Sequence, residues 1–312
     1  MSSPASPNPP SPPVVTRFAP SPTGYLHLGH AFSARQAYAA ARTTGGRFLL
    51  RIEDIDGTRC RPEFTAALLD DLQFLGLRWD GEVRVQSQHL PQYSAALDRL
   101  SAAGLLYPCF CTRADIAAEI TAAASAPHEL ALPSPLPAGL PAPQVGALYP
   151  GTCRRLSPEQ VAARLGEGKS YALRLDSRQA QTQAEALVGG PLAFFDQRFG
   201  HVPVTLHHLG DVVLGRKEIR ASYHIAVTHD DQLQGVSLVT RGEDLFHATH
   251  LHRVLQVVLG WPEPTYAHHP LLTDAHGDRL AKRRGSPSLR SLRAQGLSAE
   301  AIWAQAGLPP LP

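Results

Sequence analysis

Residues 14–75 alternate apolar strand, Gly/Pro turn, helix, strand, turn and helix, and this alternation limits the fold more than any other feature of the chain. Val14-Val15-Thr16-Arg17-Phe18 is a β-branched run with the character of a buried strand. A turn rich in Pro and Gly follows. After Gly29 the apolar spacing becomes helical through Ala31, Ala34, Ala37, Tyr38 and Ala41, until Gly45-Gly46 stops it. Residues 47–52 (Arg-Phe-Leu-Leu-Arg-Ile) predict a second strand. Residues 62–75 predict a second helix, with Pro62 in its first turn and Gly76 just past its end. Strands separated by helices of this length pair in parallel. Such sheets bind ligands at the carboxyl ends of their strands, where the turn after Phe18 and the loop at Glu53 both fall.

Further helices are expected over 91–103 and 114–124, then strands over 171–176, 192–199 and 211–214. Strands over 222–228, 236–240 and near Tyr266, with a helix over 248–259, restore the α/β pattern. The expected fold is therefore a Rossmann-like parallel sheet built from residues 14–104 and 206–287. Residues 105–205 form an inserted α+β subdomain, and 288–312 a short helical segment. Residues 125–148 are Pro/Ala-rich and nearly uncharged, the composition of an extended, flexible loop. Residues 1–13 read as a disordered Pro/Ser tail. No apolar run approaches the ~20 residues that cross a bilayer, and the N-terminus has no signal-peptide pattern. Four cysteines without such a signal favour a reducing cytoplasm. A net charge of +2 neither requires nor excludes a nucleic-acid partner.

The chemistry-bearing residues sit at predicted strand ends. His27-Leu28-Gly29-His30 places two imidazoles at a helix start, where backbone N–H groups receive phosphate. Arg17, just inside the end of the first strand, needs a carboxylate or phosphate partner if buried. Glu53 follows the second strand, and Arg241 ends another before Gly242. Lys282-Arg283-Arg284 is the densest basic run. Cys109, Cys111 and Cys153 flank one irregular insertion, a pattern that favours zinc, whose structural sites take four ligands. From ligand chemistry alone, His128 would be the fourth.

Ala19-Pro20-Ser21-Pro22-Thr23-Gly24 followed by His27-Leu28-Gly29-His30 resembles the HIGH signature of class I aminoacyl-tRNA synthetases, in their glutamyl/glutaminyl branch. The resemblance covers about residues 14–290. It implies a ligase that activates L-glutamate with ATP and Mg2+ to glutamyl-adenylate. His27 and His30 would stabilise the reacting α-phosphate, with Pro20 and Gly29 against the nucleotide. Arg279-Leu280-Ala281-Lys282-Arg283 occupies the place of the KMSKS loop, although Arg279 and Ala281 depart from that pattern; Lys282 matches its second lysine, which neutralises ATP phosphates. Arg17, Phe18, Ala19, Pro20, Ser21, Glu53, Tyr223 and Arg241 would form the glutamate pocket, with Arg17 on a substrate carboxylate and Glu53 on its ammonium.

The resemblance also implies a structural Zn2+ held by Cys109, Cys111, Tyr149 and Cys153, with Tyr149 in place of His128. Only 30 residues follow Lys282, which predicts no anticodon-binding domain. Among relatives this fits the short enzymes that attach glutamate to the queuosine base in the anticodon loop of tRNA(Asp), working as cytoplasmic monomers. Three alternatives stand beside it: a truncated synthetase charging the 3′ end of tRNA(Glu), glutamate transfer to a non-tRNA acceptor, and a non-catalytic RNA-binding module.

Overall fold

A computed structural model describes residues 12–124, 139–142, 148–219, 221–273 and 287–311. The expected tail lies outside the described residues except for its last two positions. Of the expected 125–148 loop, only 139–142 and 148 are described.

The N-terminal alternation folds as β1 (Val15–Phe18), α1 (Leu28–Thr43), β2 (Arg47–Ile52), α2 (Pro62–Phe74) and β3 (Arg84–Val85). These three strands form a parallel sheet in sequence order. Gly46 makes the tight return into β2 possible. A Cβ there would lie 1.9 Å from the Val14 carbonyl oxygen, so any other residue would separate β2 from β1. Ala31, Ala34, Ala37 and Ala41 are buried on one face of α1. Their small side chains let the helix lie close to the sheet, and Thr16 Oγ1 donates to Ala37 O at 2.8 Å across that contact.

Next come α3 (Leu90–Ala102), β4 (Leu106–Cys109), α4 (Arg113–Ala124), α5 (Pro158–Gly166), β5 (Ala172–Leu175), α6 (Ser177–Val188), β6 (Ala193–Asp196), β7 (Gly200–Pro203) and β8 (Val213–Gly215). The chain continues with α7 (Tyr223–Leu233), β9 (Leu238–Gly242), α8 (Phe246–Leu259), β10 (Thr265–His269), α9 (Leu289–Ala294) and α10 (Ala299–Gln305). A second sheet has the order β7-β6-β10-β9, parallel except for the β6–β7 hairpin. An antiparallel sheet, β4-β5-β8, stands apart. The 205/206 boundary drawn from sequence therefore differs from sheet membership: β6 and β7 pair with the second sheet, and β8 with the sheet of the insertion.

The β1-β2-β3 and β7-β6-β10-β9 sheets meet edge to edge. Ser237 N donates to Val15 O at 3.0 Å, and Val15 N donates to Ser237 Oγ at 2.9 Å. The expected union of first and last thirds thus takes the form of two parallel sheets abutting at β1 and β9. Residues 222–228, expected as a strand, open helix α7 instead. A short apolar run such as Ile225-Ala226-Val227 has no period of its own, and its burial on several sides is equally available to a helix. Apolar side chains of α9 and α10, including Leu289, Leu292, Ile302 and Trp303, complete the core under the first sheet. Among the described residues, no helix is long and apolar enough to cross a membrane.

Candidate active site

The abutting strand ends open onto a cavity of about 380 Å³. Arg17, Phe18, Ala19, Pro20 and Ser21 bring the end of β1 and its turn to it. His27, Gly29 and His30 bring the start of α1, and Glu53, Tyr223 and Arg241 close the far side. The sequence-predicted pocket residues, more than 200 positions apart at the extremes, are thus gathered in one place. Lys282, Arg279 and Ala281 lie outside the described residues. The chain leaves the cavity wall at Leu271 and Leu272 and is next described beside the histidine turn. There Ser288 forms a bridge with His27, and Leu289 N donates to Leu26 O at 2.8 Å.

The histidine turn is a capped helix start. His27 is the N-cap of α1, and its Nδ1 accepts from Gly29 N at 3.1 Å. His30 Nδ1 reaches back to accept from His27 N at 3.2 Å. With both Nδ1 atoms accepting, each neutral ring carries its proton on Nε2. Both imidazoles are thereby fixed in a donor tautomer beside a helix N-terminus, where anions are favoured.

Arg17, Glu53 and Arg241 are all buried, at 5%, 7% and 5% exposure, so their charges must be matched inside the protein or by a ligand. Arg17 is matched by a residue that the sequence reading missed. Its Nε and Nη2 donate to the two carboxylate oxygens of Asp231 at 2.9 and 3.3 Å, and its Nη1 donates to Thr240 O at 3.1 Å. One bidentate face of Arg17 is therefore committed to Asp231, and only the Nη1–Nη2 end remains for a ligand. Asp231 also accepts from Arg51 Nη2 at 2.8 Å. Burial opposes ionisation of Asp231, but Arg17 and Arg51 hold its carboxyl below the usual range. The same arginines act on Glu53, 3.3 Å from Arg51 Nη2. There burial wins and pushes the carboxyl up to about 7.

Arg241 differs. Among the described residues no carboxylate lies within ion-pair distance of it. Its donors go to neutral groups: Nε to His268 Nε2 at 3.2 Å, Nη1 to His252 Nδ1 at 3.2 Å and Nη2 to Thr249 Oγ1 at 2.5 Å. Burial, with Arg241 itself adding to the effect, lowers His252 well below the usual imidazole range. Burial also lowers His268 to about 4, partly opposed by Asp196. The cavity thus combines a buried cation without an anion, a second guanidinium end and a carboxylate. A molecule with two carboxylates and one ammonium complements that set, whereas a neutral amide would leave Arg241 unmatched.

A family model of the catalytic domain of class I tRNA synthetases (E and Q) matches residues 13–308. The chain belongs to this family. It is 47% identical over 296 residues to a glutamyl-Q tRNA(Asp) synthetase of Rhodobacter capsulatus, covering 95% of this chain and all of that one. It is 42% identical over 294 residues to one of Symbiobacterium thermophilum, covering 92% of this chain and 83% of that one. Among solved structures it is similar to a glutamate tRNA ligase of Elizabethkingia meningosepticum in complex with its amino acid, with TM-score 0.68 and 27% identity. That match covers 88% of this chain and 52% of the ligase, so this synthetase chain spans about half the ligase's length.

A second group of synthetase residues meets at the end of β4. Cys111 Sγ lies 3.4 Å from Cys153 Sγ and 3.7 Å from Tyr149 Oη, and Cys109 Sγ lies 3.5 Å from the same phenol oxygen. Cys153 N donates to Tyr149 Oη at 2.8 Å. Thiolates around a tetrahedral zinc sit roughly 3.8 Å apart, so these four side chains fit that ion with little movement. His128 lies outside the described residues. His208, His247 and His250 also bring ring nitrogens within 4.8 Å of one another. Here the hydrogen bonding opposes a metal: Thr205 N donates to His250 Nδ1 at 3.2 Å, which leaves the proton on Nε2 and no second lone pair.

Proposed function

We infer that this chain catalyses glutamyl-Q tRNA(Asp) synthesis: it activates L-glutamate with ATP and esterifies the glutamate to the queuosine base of the tRNA(Asp) anticodon loop. The observation that carries this reading is the 47% identity to a glutamyl-Q tRNA(Asp) synthetase over that protein's whole length. The charge pattern of the cavity supports the amino acid independently.

In the first step a carboxylate oxygen of glutamate attacks the ATP α-phosphorus. The P–O bond to the β-phosphate breaks, and pyrophosphate leaves with the electron pair. The protein supplies no nucleophile; its contribution is position and charge. Glu53 receives the substrate ammonium, Arg241 the side-chain carboxylate, and the end of Arg17 the carboxylate that reacts. His27 and His30 donate from Nε2 to the α-phosphate oxygens as charge builds there, and Lys282 neutralises the leaving phosphates. Pro20 and Gly29 flank the nucleotide. Mg2+ enters with ATP as counter-charge to the phosphates, a role that needs few protein ligands. In the second step a hydroxyl oxygen of the queuosine ring attacks the carbonyl carbon of the mixed anhydride. The C–O bond to the phosphate breaks, and AMP leaves with the electron pair while the hydroxyl proton passes to solvent. Cys109, Cys111, Tyr149 and Cys153 would hold a structural zinc, which cross-links the end of β4 to residues 149–153. The enzyme would work as a monomer in the cytoplasm.

The test is incubation with labelled glutamate, ATP and tRNA(Asp), with and without queuosine. Label should enter only the queuosine-containing tRNA(Asp). Periodate-sensitive charging of tRNA(Glu), or a product that resists ribonuclease, would replace this reading with one of its alternatives.

A further inference from the structure

The carboxylate Asp196, at the end of β6, makes no contact with the cavity, yet it is fully buried. Its Oδ1 accepts from Arg198 N at 2.8 Å and Phe199 N at 3.1 Å. Its Oδ2 faces His268 of β10, 2.6 Å from Nδ1 and 3.2 Å from the backbone N. Burial works against ionisation here, but His268 and these donors keep the carboxyl low. Asp196 is thus an acceptor at all four bonds, and the His268 ring must carry its proton on Nδ1. His268 Nε2 is then a lone pair, and it points at Arg241 Nε, 3.2 Å away. Thr249 Oγ1 lies 3.2 Å from that same Nε2 and 2.5 Å from Arg241 Nη2.

The same logic holds on the other side of the guanidinium. His252 Nδ1 faces Arg241 Nη1 and must accept, so its proton sits on Nε2, which lies 3.2 Å from His224 Nδ1. Arg241 is therefore gripped by neutral acceptors, of which His268 has its tautomer set one residue further out by Asp196, and none of them carries the negative charge that would satisfy it.

We propose that Asp196 is a positioning residue for substrate selection: by fixing the tautomer of His268 it aims Arg241 into the cavity while leaving its charge for the substrate's side-chain carboxylate. A carboxylate placed directly on Arg241 would orient it equally well but neutralise it. Putting the anion one imidazole away separates orientation from charge. This proposal rests on the glutamate-activating reading above.

Asp196→Asn tests it. The amide oxygen can keep the two loop N–H bonds only by turning its NH2 toward His268. That NH2 donates to Nδ1, moves the ring proton to Nε2 and sets it against Arg241 Nε–H. In glutamate-dependent ATP–pyrophosphate exchange, the KM for glutamate should rise about tenfold or more. The KM for ATP should stay unchanged, and the preference for glutamate over glutamine should fall. Nitrogen-15 NMR of the imidazoles should show His268 protonated on Nδ1 in the parent protein and on Nε2 in the variant. If Asp196→Asn does not fold, Thr249→Val, nearly isosteric, removes one acceptor from Arg241 and should give the same selective rise. An unchanged glutamate KM in the folded variant, equal rises for glutamate and ATP, or an Nε2-protonated His268 in the parent protein would overturn the proposal. Absence of glutamate-dependent exchange in the parent protein would instead overturn the activity itself.

Discussion

At the scale of single residues, the two histidines and Glu53 make separable demands. His27 and His30 hold no core together; they present N–H donors at a helix start. Removing one donor aimed at developing charge costs roughly 100- to 1,000-fold in rate. His30→Ala and Lys282→Ala should therefore each lower glutamate-dependent pyrophosphate exchange by at least about 100-fold. Their thermal unfolding midpoints should stay near that of the parent protein. Glu53 adds a pH dependence. Burial raises its carboxyl to about 7, and only the ionised form attracts an ammonium. The KM for glutamate should accordingly fall as pH rises from 6 to 8 and flatten above that range, measured by exchange at saturating ATP. In Glu53→Gln the KM should be high and nearly constant over the same interval. Asp231 carries the opposite kind of weight. Removing it strands Arg17 in the interior and takes from Arg51 one of its carboxylate partners, and a broken buried pair costs about 3–5 kcal/mol. Asp231→Ala should therefore unfold at distinctly lower urea concentration as well as bind glutamate poorly.

At the scale of elements, what could be read in advance depended on how local the determinants were. The β1 turn and the start of α1 were legible because Pro20, Gly24, His27, Gly29 and His30 are contiguous and each has its own conformational reason to be there. Arg51-Ile52-Glu53 was legible for the same reason. Asp231, Asp196 and His268 were not. Asp231 becomes a partner of Arg17 only when α7 packs behind β1, 214 positions away in sequence. Its one local signal was a pair of adjacent acids, Asp230-Asp231, following a buried apolar run. Reading 222–228 as a strand hid even that, because it left the two acids past the end of the element, in a connecting segment where acids are ordinarily solvated. The zinc prediction belongs at this scale, since the ion would tie β4 to the turn at Cys153. The purified protein should contain one zinc per chain by metal analysis. Cys109→Ser or prolonged chelation should remove it and destabilise the β4-β5-β8 sheet, seen as faster amide exchange in Leu106–Cys109.

At the scale of the whole molecule, the two parallel sheets touch along β1 and β9 through few backbone bonds. Much of the seam is instead an ionic cluster: Arg17 and Arg51 from one sheet on Asp231 from the helix beside the other. The sequence made each half recognisable as α/β but not the boundary between them. Strand β8 pairs outward with the insertion while β6 and β7 pair inward, a choice made by long-range packing and not by local pattern. The same is true of the last helices. Leu289, Leu292, Ile302 and Trp303 of α9 and α10 lie in one core with Phe18, Ala31 and Leu50, and Ser288 bridges to His27. The order in which a ribosome makes the chain thus runs against the order in which its parts can settle. The histidine turn is among the first segments to emerge, yet the side chains that seal the core beneath it come some 260 residues later in the chain. During synthesis the second sheet has all its strands before the core beneath the histidine turn has all its side chains.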